Sequence, residues 1–318
     1  MSVALLFVGF FLVITGASLL VDGGSSLAKR LHVSDLAIGL TVIAFGTSLP
    51  ELSVNIAASI KGTSEIAITN ILGSNTANIL LILGVSSVIF PLAVTKGTVW
   101  KEIPFSLLAV VILALLAANN ITGGENYSKL TRIDGLVLLS FFMIFLYYTA
   151  GIARQTAEVV EQVPKKYFSF KKSVLFIAGG LVLLIFGGRW IVSGAIDIAS
   201  KLHISESVIG ATIVAVGTSI PELATSVAAA TRKNAEIAVG NVIGSNIFNI
   251  FLILGISTLI RPLTIHSSDI IHFAAVIIAN VALFVFMFTG KKRLIDRWEG
   301  WILLAGYIVY ITLVLILK

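Results

Sequence analysis

Residues 39–92 and 210–263 are two copies of one segment. The first reads GLTVIAFGTSLPELSVNIAASIKGTSEIAITNILGSNTANILLILGVSSVIFPL. The second reads GATIVAVGTSIPELATSVAAATRKNAEIAVGNVIGSNIFNIFLILGISTLIRPL. They align without a gap at a constant offset of 171 residues, with 28 of 54 positions identical. Upstream, LHVSDLAIG (31–39) and LHISESVIG (202–210) keep the same offset. A duplication this regular fixes the architecture before any single helix is considered. The apolar runs predict helices near 2–22, 35–60, 65–90, 102–119 and 133–153. A second set follows near 172–196, 206–231, 235–260, 269–289 and 298–317. Each half has five, and an odd number sends the second half into a membrane upside down relative to the first. The expectation is an all-α polytopic membrane protein of ten transmembrane helices, built as two inverted five-helix repeats. Folds of this kind place a binding site near the midplane, where the halves meet. The halves are residues 1–153 and 172–318, joined by a short charged linker at 154–171.

Composition requires the membrane. Hydrophobic residues make up 57% of the 318, charged residues 12%, and the mean hydropathy is +1.04. Water-soluble domains hold ~45–50% apolar and ~25% charged residues. Each span takes ~20 residues. The N-terminal run MSVALLFVGFFLVITGASLL lacks a basic leader and reads as a retained first helix. The net charge of +6 sits in short loops, where Lys and Arg set topology, and does not indicate nucleic acid. With the N-terminus outside, 15 of the 22 basic residues fall in inner loops. The positive-inside rule then puts both termini outside and the linker in the cytoplasm. A multi-pass protein of the cell (plasma or inner) membrane is expected, with the lipid bilayer as its surroundings and no protein partner evident. There are no cysteines, which removes disulfides and thiol catalysis. The four histidines form no HxxxH pair and lie in loops or at helix ends, so neither a zinc site nor a Ser–His nucleophile is expected. No cofactor and no enzymatic activity are expected.

Among 16 acidic residues, Glu51 and Glu222 alone fall deep inside apolar runs, and they are repeat equivalents. A charged carboxylate at a helix centre costs at least ~2.5 kcal/mol on insertion scales. Each follows a proline, in GTSLPE (46–51) and GTSIPE (217–222). Proline removes a backbone donor and clashes with the preceding turn. The helices should therefore kink or unwind at Pro50 and Pro221, freeing carbonyls near Ala44 and Thr47, and near Ala215 and Thr218. Thr47, Ser48, Thr218 and Ser219 add hydroxyl oxygens. The next helix of each half carries GSNTAN (73–78) or GSNIFN (244–249). Asn70, Ser74 and Asn78 line one face at spacing i, i+4, i+8, as do Asn241, Ser245 and Asn249. Thr47, Glu51 and Asn55 make the matching stripe on the preceding helix, with Thr218, Glu222 and Ser226 its repeat. Asn75 and Asn246 point about 100° away, and interhelical bonding competes with ion binding as the role of Asn70, Asn75, Asn241 and Asn246. Gly73 and Gly244 would allow close helix approach. A donor set of carboxylate, hydroxyl, amide and carbonyl oxygen suits Ca²⁺, Na⁺ or Mg²⁺. Two carboxylates neutralise one divalent ion, or monovalent ions or protons, and that equivalence is the physical basis of exchange.

The paired GTSxPE and GSNxxN segments resemble the α-repeats of sodium/calcium exchangers, in the cation/calcium antiporter superfamily. The GNxxE pattern typical of proton-coupled calcium exchangers is absent. The resemblance covers nearly the whole chain and resembles prokaryotic-type members without a regulatory domain. It implies a secondary antiporter that exchanges Ca²⁺ for Na⁺ by alternating access. It implies that Glu51 and Glu222 bind Ca²⁺ and also ligate Na⁺, with the Thr47 and Thr218 carbonyls joining the Ca²⁺ site. Ala44, Thr47, Ser48 and Ser74 would form one flanking Na⁺ site, and Ala215, Thr218, Ser219 and Ser245 its mirror image. Asn78 and Asn249 would sit at the centre, and the first and sixth helices would slide across the rest. One departure stands out: well-studied exchangers carry an aspartate where this chain has Asn249. Exchange of Ca²⁺ for H⁺, or a K⁺-dependent exchange, through the same two glutamates is the alternative.

Overall fold

The computed structural model describes residues 2–118, 127–155, 168–201, 217–290 and 293–316. Helix α1 (Ser2–Arg30) is followed by a broken helix, α2 (Asp35–Thr47) and α3 (Leu49–Lys61), then α4 (Ser64–Ile89), α5 (Thr98–Ala118) and α6 (Arg132–Gln155). In the second half come α7 (Phe170–Lys201), α8 (Ile220–Thr231), α9 (Ala235–Ile260), α10 (Ile270–Phe286) and α11 (Arg297–Ile316). Eight of these helices are long and apolar enough to span a membrane, and α2 with α3 makes a ninth, bent span. Helix α8 is the distal part of the remaining predicted helix, whose first part lies outside the described residues.

The two signature helices occupy the centre. In their most apolar stretches α4 is 72% buried and α9 78% buried, against 22–39% for the other unbroken spans. The periphery carries exposed Phe7, Phe11, Leu115 and Tyr147, the surface expected where lipid replaces water. The halves interlock. Helix α9 packs on α2, and α4 on α8, so each signature helix lies against the other half's broken helix. Gly244 permits the closest of these approaches, because a Cβ there would lie 2.6 Å from the Leu40 carbonyl oxygen.

Helices α1 and α7 run antiparallel in a separate, tightly fused pair. Gly9 meets Gly187, and seven residues on Gly16 meets Gly180; a Cβ at either position in α1 would lie under 3.0 Å from the opposing carbonyl. Small residues at heptad spacing allow such backbone contact in a membrane, where van der Waals packing takes over from the hydrophobic effect. Helix α7 also crosses both breaks. A Cβ at Gly46 would lie 2.5 Å from Leu181, and one at its repeat equivalent Gly217 would lie 2.4 Å from Val192.

Two small antiparallel ladders, unanticipated in the sequence, clip the halves together at their loops. Strand β1 (Leu92–Ala93) pairs with β4 (Leu294–Ile295), and β2 (Tyr127–Leu130) with β3 (Leu263–His266). Each ladder joins one strand from each half.

Candidate cation site

The residues two before each proline share one backbone conformation. Ser48 has φ −80°, ψ 6° and Ser219 φ −85°, ψ 4°. Pro50 and Pro221 fall in the first turn of the helix that follows each break, where a missing N–H costs nothing. Helix α3 leaves α2 at 46°. Glu51 and Glu222 thus sit one residue after the proline, in the first turns of α3 and α8, where the helix N-termini face them. The expected kink is present. The expected release of the Ala44 carbonyl is not, for it still accepts the Ser48 N–H at 3.0 Å. The chain turns at Ser48, after that bond has closed, and the break leaves the last turn of α2 intact. Ala215 lies outside the described residues.

Glu51 and Glu222 are fully buried. Ser74 Oγ donates to Glu51 Oε1 at 3.3 Å. Glu222 Oε1 accepts from Ser245 Oγ at 3.4 Å within its own half and from Ser48 Oγ at 3.2 Å across the halves. Thr47 Oγ1 donates to Asn241 Oδ1 at 3.0 Å, and its repeat equivalent Thr218 Oγ1 to Asn70 Oδ1 at 3.4 Å. Asn241 Nδ2 in turn donates to the Glu222 carbonyl at 3.2 Å and to Ser226 Oγ at 3.0 Å. Asn70 Nδ2 donates to Asn55 Oδ1 at 2.7 Å. The hydroxyls and amides read from the sequence as two faces are therefore gathered at one place, with Asn241 holding Thr47 and the Glu222 backbone and Asn70 holding Thr218.

At the centre the remaining amides meet across the halves. Asn75 Nδ2 donates to the Asn246 carbonyl at 3.1 Å, Asn249 Nδ2 to Asn75 Oδ1 at 2.9 Å, and Asn78 Nδ2 to Asn246 Oδ1 at 3.0 Å. Here α4 and α9 loosen into π-helical turns, Asn78–Leu83 and Phe248–Leu254. Such turns recur at functional sites.

Among the described residues, the site leaves Ser219 Oγ and four acceptor oxygens buried without a hydrogen-bond partner, the four being Glu51 Oε2, Glu222 Oε2, Asn78 Oδ1 and Asn249 Oδ1. They form two repeat-related pairs. An unsatisfied buried polar atom costs about 1–3 kcal/mol, more if charged. Four together call for water or a cation, and a site with only oxygen donors suits a hard ion. Among the described residues, the arrangement has no nucleophile–base pair and none of its hydrogen bonds involves a histidine. The contacts of Leu181 and Val192 with the two breaks were not signalled by the sequence, because side chains on α7 have no motif to announce them.

Comparison with known proteins places these observations. The sodium/calcium exchanger protein family model matches residues 1–151 and 172–316. Sodium/calcium exchanger MaX1 of Methanosarcina acetivorans is 32% identical, with 97% of each chain covered. Inner membrane protein YrbG of Escherichia coli is 34% identical over 98% of this chain and 96% of its own. A solved structure of the sodium-calcium exchanger NCX_Mj superposes with a TM-score of 0.84 at 36% identity, covering 98% of both chains.

Proposed function

Because the chain belongs to the sodium/calcium exchanger family, and is therefore a multi-pass membrane transporter of the cation/calcium antiporter type and not an enzyme, we propose that it exchanges Ca²⁺ for Na⁺ by alternating access through Glu51 and Glu222. The observation that carries this reading is the unpartnered burial of four acceptor oxygens, one from each glutamate and one from each of Asn78 and Asn249. The two carboxylates neutralise one Ca²⁺, with Asn78 and Asn249 adding amide oxygens and the Thr47 and Thr218 region completing the shell. Na⁺ ions use the same carboxylates together with Ser48, Ser74, Ser219 and Ser245, and the Ala44 carbonyl stands beside them. Because both ions need the same oxygens, they cannot be held together, and the doubly negative empty site does not cross. Binding of one ion at one face is thereby coupled to release of the other.

The packing supports a moving part. The α1–α7 pair is fused along its glycines and α7 lies over both breaks, so a slide of the pair exposes the two sides of the site in turn. Thr47 and Asn241 are fully buried, whereas Thr218 and Asn70 are half-buried, which identifies the Thr218 side as the accessible one. With both termini outside, that side faces out of the cell.

Reconstituted protein in liposomes tests the reading. An outward Na⁺ gradient is expected to drive ⁴⁵Ca²⁺ uptake without a pH gradient and without K⁺. Uptake that follows a pH gradient and ignores Na⁺, or that requires K⁺, would replace it with the corresponding exchange.

A further inference from the structure

We propose that Asn75 acts as a polarity clasp on Asn249, forcing that residue to present a neutral oxygen, and never its N–H₂ group, to the ion cavity. The inference rests on the reading of the site as an ion exchanger, and it concerns a residue outside the expected ligand set.

One group in the clasp has no choice of role. The backbone carbonyl of Asn246 can only accept a hydrogen bond. The end of the Asn75 amide that meets it, at 3.1 Å, is therefore the nitrogen. Its other end is then the oxygen, and this oxygen lies 2.9 Å from the Asn249 amide. Asn249 must offer its nitrogen there. Its own oxygen is consequently turned away from the clasp, and that atom is buried without a partner. Asn249 lies one helical turn beyond Ser245, whose hydroxyl bonds Glu222, so the free oxygen belongs to the ion site. All the groups involved are at most 1% exposed.

The same chain of constraints selects against charge. An ionised aspartate at 249 would set an oxygen against Asn75 Oδ1 at the position now held by the donor, and two acceptors repel. Asn75 cannot turn over to help, because its nitrogen would then leave the Asn246 carbonyl unpaired. The equivalent residue in the other half behaves differently. Asn246 accepts from Asn78 through Oδ1 but its Nδ2 has no partner. It is free to turn over and donate to an aspartate at 78. Asn75 is thus a positioning residue that fixes both the orientation and the neutrality of one ligand, and the clasp on Asn78 fixes neither.

A double-mutant cycle on the KM for Ca²⁺, measured in proteoliposomes, tests the clasp. Parent exchange driven by Na⁺ is established first, so that failure of the functional reading is seen separately. Asn75→Leu is expected to raise KM about tenfold, the scale of one buried hydrogen bond, because the Asn249 amide is then free to present nitrogen. Asn249→Asp is expected to raise KM by a similar factor in the parent. In the Asn75→Leu background Asn249→Asp should lower KM, since both aspartate atoms are oxygens and orientation no longer matters. A role in stability alone predicts that the two changes add, and additive effects overturn the proposal. Asn75→Ala runs the same cycle without added bulk. If neither Asn75 variant folds, Asn249→Asp against Asn78→Asp decides: the first should raise KM about tenfold and the second leave it near the parent value, and equal effects overturn the clasp.

Discussion

Glu222 accepts hydroxyl hydrogen bonds from Ser48 and Ser245, while Glu51 accepts one, from Ser74. Ser219, the repeat equivalent of Ser48, is buried with its hydroxyl unpaired. On the Glu222 side Thr47 and Asn241 are sealed, and on the Glu51 side Thr218 and Asn70 are half-buried. The sealed side is also latched at its loop, where Arg232 pairs with Asp22 of α1 at 3.0 Å. The repeat equivalents of that pair are Lys61 and Ser193, which cannot form it. Two kinds of asymmetry are therefore present. Where the paired residues are identical, as with Ser48 and Ser219, an inverted-repeat exchanger interchanges the two environments when it changes state. Where the residues differ, the asymmetry is permanent. The latch is of the second kind. The amide clasp combines both: its own residues are identical in the two repeats, Asn75 with Asn246 and Asn78 with Asn249, while its neighbours differ, Phe248 and Phe251 on α9 where α4 has Ala77 and Leu80; those rings pack edge-on against Phe105, Phe142 and Phe145.

Substitutions in repeat-equivalent pairs separate the two kinds. The largest effect is expected at the glutamates. Glu51→Gln and Glu222→Gln should each reduce Ca²⁺ exchange more than about 100-fold, the loss of a charge-assisted ligand that nothing replaces, despite their unequal hydrogen bonding. Folded protein, checked by size-exclusion profile, with near-parent exchange in either variant would break the comparison at its root. Next come the contacts beneath α7. Gly46→Ala and Gly217→Ala each insert a methyl group against Leu181 or Val192. Overpacking costs about 1–3 kcal/mol, and maximal turnover should fall about tenfold with KM little altered. A change in KM alone would locate these glycines in the binding site and remove them from the moving contact.

Smaller differences follow. Ser48→Ala and Ser219→Ala should raise the KM for Na⁺ by the same few-fold factor, each removing about 1 kcal/mol of hydrogen bonding in one of the two states. A clear effect at Ser48 alone would make this asymmetry permanent. Arg232→Gln should produce the smallest change. The pair is partly exposed, with side chains 31% and 42% accessible, and such pairs contribute about 0–1 kcal/mol and weaken in salt. Turnover should change less than about fivefold, and the difference should shrink at high ionic strength.

Much of this was legible in the chain. The repeat, its odd helix count and the midspan glutamates specify an inverted membrane fold with a central acidic site. GTSLPE and GTSIPE locate the breaks. Other features were not legible, for physical reasons. A helical wheel shows which side chains share a face within one half, but not that Ser48 reaches the other half's Glu222 or that Thr47 reaches Asn241. Asn75 and Asn246 pointed about 100° from the polar face, and no wheel drawn with α-helical spacing includes the π turns that begin beside them. The Ala44 carbonyl kept its partner because the break falls at Ser48, a detail of backbone torsion that proline alone does not set. The interfacial ladders were hidden because FPLAVTK and IRPLTIH are short and continue apolar helices. The proposed orientation is open to direct test in this cysteine-free chain: Val160→Cys should label from inside and Lys318→Cys from outside.

In the proposed exchange, Glu51 and Glu222 together hold one Ca²⁺ that Na⁺ displaces. Equilibrium ⁴⁵Ca²⁺ binding to the purified protein, titrated with Na⁺, tests it most directly. The expected result is one saturable Ca²⁺ per chain, displaced by Na⁺ and absent from both Glu51→Gln and Glu222→Gln. Saturable binding that survives in either variant, or that Na⁺ leaves in place, would contradict it.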